Sequence, residues 1–132
     1  VRSTSGEGPG GGPAPPQILV VEDETLIALD LEFCLTDAGF GVIGPVPTVS
    51  AALALLRTRR PDAAVLDVSL RGERVTPVAE TLRAMGVPFV LASAYGGSEL
   101  DGDAVLAGAR NVGKPTTDAV LLRALKGLLD GR

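Results

Sequence analysis

Two short apolar runs, each ending in acid, constrain this chain more than any other feature. Ile18-Leu19-Val20-Val21 ends in Glu22-Asp23, and Ala63-Ala64-Val65-Leu66 ends in Asp67. Neither run alternates with polar residues, so each reads as a strand buried on both faces. If the two lie side by side in a parallel sheet, three carboxylates meet at the carboxyl ends of adjacent strands. Open α/β sheets place their ligands there. Three like charges at one point are costly without a cation, so the arrangement implies a divalent metal.

The rest of the chain alternates strand and helix around these runs. Glu24 to Ala38 carries Ile27, Leu31, Cys34, Leu35 and Ala38 at helical spacing, and Gly39 suits its end. Val42-Ile43-Gly44 predicts a short second strand ended by Pro45 and Pro47. Thr48 or Ser50 is placed to cap a second helix through Arg57, with Leu53 and Leu56 facing inward. Thr76-Pro77 opens a third helix that runs to Met85 and stops at Gly86. Phe89 to Ala92 reads as the fourth strand. Four glycines and three acids dilute the helical pattern of 96–108, which predicts a short or mobile helix. Asn111 to Gly113 reads as a brief fifth strand, and 118–129 as the last helix, capped by Thr117 or Asp118. Five such βα units predict an α/β fold: a flavodoxin-like, doubly wound, five-stranded parallel sheet in the order 2-1-3-4-5.

Length and composition fit one domain of 132 residues, with residues 17–132 as the folded unit. Residues 1–16 hold five glycines and four prolines and read as a flexible tail or linker. A 45% hydrophobic content supports a core, and 3% aromatic content means that Leu, Val and Ala build it. The net charge of −4 offers no clustered basic face for nucleic acid, and no apolar run is long enough to span a bilayer. A lone cysteine, Cys34, reads as core and cannot form an internal disulfide, which fits a reducing cytoplasm. There is no histidine, so any imidazole chemistry must come from a partner. The chain starts at Val1, consistent with processing, an expression boundary or a domain cut from a longer protein.

Four features fall at successive strand ends: Glu22-Asp23, Asp67, Ser93 and Lys114-Pro115. The segments ILVVEDE (18–24), PDAAVLDVSLRGE (61–73), PFVLASAYG (88–96) and VGKP (112–115) occur in this order. Together they resemble the receiver domain of two-component response regulators, across residues 17–130. The resemblance implies that Asp67 takes a phosphoryl group from a phosphohistidine of a histidine kinase or histidine phosphotransfer protein. It implies Mg²⁺, with Mn²⁺ as a substitute, on Asp23, Asp67 and the Ser69 backbone carbonyl, and on Glu22 through water. Lys114 would pair with Asp67 and then with a phosphoryl oxygen, while the Ser93 hydroxyl would bind another. The compact ammonium suits a crowded carboxylate cluster, and of twelve basic residues only Lys114 and Lys126 are lysines. The Lys114-Pro115 bond is typically cis in this family. The phosphorylated domain would present a changed surface around the fourth helix, fifth strand and fifth helix to a downstream protein, with a homodimer as a candidate assembly. The resemblance implies a phosphoacceptor with at most slow self-dephosphorylation, not an enzyme, with histidine kinase activity only as part of a longer hybrid chain.

Two positions depart from the family pattern. Many receivers carry Tyr or Phe three residues before the lysine, where this chain has Asn111. Tyr95 instead follows Ser93 by two residues, which resembles a receiver subgroup with Phe-Ala-Thr-Gly-Tyr after the fourth strand. In that setting Tyr95 and Ser69 would flank the phosphoryl group and limit attack by water. No effector domain follows Arg132 in this sequence, which predicts output by protein contact or onward phosphoryl transfer. The domain fits either a stand-alone regulator or a C-terminal receiver of a hybrid histidine kinase. An aspartate-based Mg²⁺-dependent phosphohydrolase is the rival from the enzyme class, but it would place its nucleophile after the first strand. Against a flavodoxin-like cofactor binder, the chain lacks a phosphate-cradling Ser/Thr/Gly loop after the first strand and has one Tyr and no Trp to stack a flavin, and a degenerate receiver would not retain every acid, hydroxyl and lysine position.

Overall fold

The computed structural model describes residues 14–93, 104–114 and 116–131. In chain order the elements are β1 (Gln17–Val21), α1 (Thr25–Asp37), β2 (Gly41–Val46), α2 (Val49–Leu56), β3 (Ala63–Leu66), β4 (Ser69–Leu70) and β5 (Glu73–Arg74). They continue with α3 (Thr76–Met85), β6 (Phe89–Leu91), α4 (Ala104–Ala107) and α5 (Asp118–Asp130). The main sheet is parallel, in the order β2-β1-β3-β6. Its two central strands, β1 and β3, are the apolar runs that end in Glu22-Asp23 and Asp67.

Period-two geometry divides those runs between two cores. Leu19 and Val21 of β1, with Ala64 and Leu66 of β3, pack against α2, α3 and Leu106 of α4. Ile18, Val20, Ala63 and Val65 point the other way, onto Leu31, Cys34 and Leu35 of α1 and Leu121, Ala124 and Leu125 of α5. Burial on both faces is the physical reason that neither run alternates. Thr48 caps α2 by accepting the Ala51 N–H at 3.1 Å, and Thr117 caps α5 by accepting the Val120 N–H at 3.3 Å.

Three details differ from expectation. The second strand does not stop at Pro45 but runs through it to Val46. It is an edge strand, where a missing N–H breaks no inner ladder. Between Leu19 and Val21 the pairing jumps from Ile43 to Val46, a bulge that absorbs the extra residue. Gly44 sits there at φ +95°, with the Val46 N and Val20 O about 3 Å from where a Cβ would stand, so only glycine fits. The Gly44–Pro45 bond is cis, and Pro115 lies outside the described residues.

The fifth strand, in turn, is reduced to one parallel bridge between Asn111 and Leu91. It stands in the expected place, beyond β6. The Asn111 side chain explains why it stays so short: its Oδ1 accepts the Ser93 N–H at 3.1 Å and the Gly113 N–H at 2.9 Å. Local side-chain bonds of this kind compete with a strand ladder. Finally, an antiparallel hairpin, β4–β5, follows Asp67 where no strand was expected. Of the 96–108 segment, residues 104–107 are helical and 96–103 lie outside the described residues.

Candidate functional site

Ladder hydrogen bonds carry the acids to one edge. The Asp67 N–H donates to the Val21 carbonyl at 2.9 Å, and the Glu22 N–H donates to the Val46 carbonyl at 3.0 Å. Glu22 and Asp67 therefore leave neighbouring strands at the same level. Among the described residues the buried polar or charged ones are Glu22, Asp67 and Ser93. All three lie at the carboxyl edge of the sheet, and all were picked out from the sequence.

Lys114 reaches this edge from the loop before α5. Its Nζ donates to Asp67 Oδ2 at 2.9 Å and to Glu22 Oε2 at 3.2 Å, and lies 3.4 Å from Glu24 Oε1. Glu24 is an exposed carboxylate that was not among the expected site residues. Its position directly after Glu22-Asp23 was the available signal. Asp23 is less buried, and its Oδ2 accepts the Arg71 N–H at 3.0 Å from the hairpin tip. The Ser69 N–H faces Asp67 Oδ1 at 3.4 Å. Asn111, singled out only as a departure from the family pattern, links the Ser93 amide to the Gly113 amide just before Lys114. Tyr95 lies outside the described residues.

The electrostatics follow from one ammonium among four carboxylates. Burial pushes the Glu22 carboxyl up to about 7, helped by the Asp67 charge, and the Glu24 N–H and Lys114 only partly offset it. Burial alone would lower the Lys114 pKa, but hydrogen bonds to Asp67 and Glu22 hold it above its usual value. Burial alone would raise Asp23, yet the Arg71 N–H and neighbouring groups bring it below the usual carboxylate range. Away from the edge, burial and the Asp118 charge push the Cys34 thiol up to about 11, so it stays protonated in the core.

The donor set fits a hard divalent cation. Glu22, Asp23 and Asp67 each offer an oxygen, and these oxygens lie within 4.8 Å of one another. Glu22 Oε1 is buried and has no hydrogen-bond partner. A buried carboxylate oxygen left unpaired is expensive, and a cation would satisfy it.

The doubly wound parallel sheet thus carries a buried acid–lysine cluster at its carboxyl edge. The chain belongs to the response regulator receiver domain family, whose model matches residues 18–126. It is 29% identical over 87 residues to the transcriptional regulatory protein PdtaR of Mycobacterium tuberculosis, covering 65% of this chain and 42% of that protein. To the phyllosphere-induced regulator PhyR of Methylorubrum extorquens it is 33% identical over 82 residues, covering 60% of this chain and 31% of that one. The chain thus spans less than half the length of these curated relatives. Among solved structures, SdrG from Sphingomonas melonis Fr1 is 44% identical, with a TM-score of 0.74, covering 89% of this chain and 99% of that chain. These likenesses are compatible with the variant subgroup suggested by the segment around Tyr95. The chain is a bacterial-type receiver domain of two-component signalling, a class that is generally non-enzymatic and exchanges signals with kinases or phosphotransfer proteins and with effectors. Among the described residues no helix is long and apolar enough to cross a membrane.

Proposed function

We propose that Asp67 is the phosphoacceptor of this domain. The supporting observation is the Lys114 ammonium seated 2.9 Å from Asp67 Oδ2 inside an otherwise acidic pocket. In the reaction an Asp67 oxygen forms a bond to phosphorus as the bond from phosphorus to a partner's imidazole nitrogen breaks. Two anions approach each other in that step. Lys114 offsets part of the repulsion and is placed to follow charge from the carboxylate to the phosphoryl oxygens. Mg²⁺ or Mn²⁺, held by Asp23, Asp67 and the Ser69 carbonyl, with Glu22 acting through water, would supply the rest of the charge neutralisation. The Ser93 hydroxyl, buried at the end of β6, accompanies the phosphoryl group as a hydrogen-bond donor. Tyr95 and Ser69 shield it from water, and Asn111 and Pro115 set the approach of Lys114. The related SdrG, 42% identical in that structure, has been solved in a BeF3-activated conformation, which is in keeping with this reading.

The partner side follows from α1. Leu26, Leu29 and Phe33 are its exposed large apolar residues, at 77%, 44% and 72% exposure, spaced along one side of the helix. The stripe begins beside the acids and continues into a groove lined by Asp23, Thr25, Leu29, Pro45, Pro47 and Arg71. A histidine-bearing helix of a kinase or phosphotransfer protein laid on this stripe brings its imidazole to Asp67. The downstream partner uses the face of α4, the Asn111 bridge and α5. The chemistry is the same for a stand-alone regulator and for a receiver fused to a kinase. Incubation with Mg²⁺ and acetyl phosphate tests the reading: intact mass should gain one phosphoryl group, and the Asp67→Ala variant should gain none. Equal labelling of both would refute it.

A further inference from the structure

We infer that the β4–β5 hairpin is a positioning clamp for Asp23, with its main chain orienting a metal ligand that Lys114 does not hold. The inference rests on the metal-binding reading above. Glu22 and Asp67 are buried and each bonds Lys114, whereas Asp23 is only half-buried. Its long-range hydrogen bond comes from the Arg71 N–H, across a separation of 48 residues.

The hairpin is built to aim that N–H. Ser69 pairs with Arg74 and Leu70 with Glu73, which leaves Arg71 and Gly72 as a two-residue turn. Their φ angles are +50° and +85°, the signature of a turn whose twist matches the flanking strands. The Val75 N–H closes the base on the Val68 carbonyl at 2.8 Å, and Leu70 and Val75 are sunk in the core. The base also adjoins Asp67, since the Ser69 N–H faces its Oδ1. One short element therefore touches both the nucleophile and a metal ligand. Arg71, a non-glycine residue, takes up the sterically disfavoured left-handed conformation at the point where its N–H meets Asp23.

Gly72 gives a clean test, because nothing lies within 4 Å of where its Cβ would stand. A side chain there alters backbone preference without a clash. Titration of the isotopically labelled protein with MgCl₂, read by NMR, should show Gly72→Val binding about tenfold more weakly, as when a metal ligand loses its supporting partner. Gly72→Asn, which tolerates positive φ, should return to within about twofold of wild type. Wild-type affinity in Gly72→Val, with the Arg71 and Val75 amides no longer protected, would overturn the proposal. If the valine variant does not fold, Asp23→Ala decides without altering the hairpin. In metal-free protein its Arg71 amide should exchange about tenfold faster than in wild type, the loss of one charge-assisted hydrogen bond, and unchanged exchange overturns the proposal. Wild type that binds no Mg²⁺ would overturn both this inference and the metal reading, whereas failure of the hairpin alone leaves wild-type binding intact.

Discussion

Glu22→Gln should stabilise the metal-free domain at alkaline pH while weakening its hold on metal. Glu22 is 3% exposed, and one of its oxygens has no partner. Its carboxyl is raised from 4.5 to about 7, so the folded chain holds a proton there that the unfolded chain releases. Stability from this group is therefore full below about pH 4.5 and is lost as pH rises through about 7. At about pH 8 the ionised side chain weighs against the fold by about 3 kcal/mol. Glutamine carries no charge and keeps an oxygen for the Glu24 N–H, now 3.0 Å from Glu22 Oε2. Its new NH₂ needs acceptors, which takes back about 1 kcal/mol. The net gain of about 2 kcal/mol corresponds to a Tm higher by about 5–10 °C for a domain of this size. Thermal or urea denaturation in a chelator, at about pH 5 and about pH 8, isolates the effect as a difference that grows with pH. Saturating Mg²⁺ should narrow the gap, because wild type gains about 3 kcal/mol at a hundredfold excess over Kd and the variant gains less. Parallel stability curves for the two proteins across pH would refute the reasoning.

Other perturbations separate the remaining elements of the site. Lys114→Met leaves two buried carboxylates without their cation and should cost about 2 kcal/mol at about pH 8, less near pH 5 where Glu22 is protonated; urea denaturation at both pH values would show it. Asn111→Ala removes the acceptor shared by the Ser93 and Gly113 amides and should cost about 1–2 kcal/mol, with faster hydrogen exchange at both. Phe33→Ser and Leu29→Ser should leave acetyl phosphate labelling and stability nearly unchanged but slow transfer from a phosphohistidine protein at least about tenfold, because an apolar hot spot is worth roughly 1–2 kcal/mol or more. Tyr95→Ala should shorten the phosphoryl half-life in the same labelling assay, and an unchanged or longer half-life would remove Tyr95 from the shielding role.

What the sequence revealed and what it hid have separable causes. Burial on both faces of β1 and β3 was legible because it suppresses alternation over whole runs, and the acids that end those runs mark the edge where they emerge. The pairing of Lys114 with Asp67 spans 47 positions and was readable only through the family resemblance, while its second bond to Glu22, 92 positions away, emerged only in the structure. Passage of β2 through Pro45 depends on its being an edge strand, which is a tertiary fact. The hairpin was hidden because Arg71-Gly72 is not among the favoured Asn-Gly or Asp-Gly turn pairs, although its glycine was in plain view. In α1, apolar residues occupy both sides, so periodicity marked Leu31, Cys34 and Leu35 as core without showing that Leu26, Leu29 and Phe33 stay exposed. Asn111 was visible as a departure from the family, but its two backbone bonds need three-dimensional proximity to Ser93.

The central claim, that Asp67 is the group that takes up phosphorus, is tested most directly by locating the modification chemically. Protein treated with Mg²⁺ and acetyl phosphate is reduced with borohydride, which turns an aspartyl phosphate into homoserine, and then digested and sequenced by tandem mass spectrometry. Homoserine at position 67 and at no other acid is the predicted result. Homoserine at Asp23 or another aspartate, or the reduced glutamate 2-amino-5-hydroxypentanoic acid at Glu22, with Asp67 intact, would contradict it.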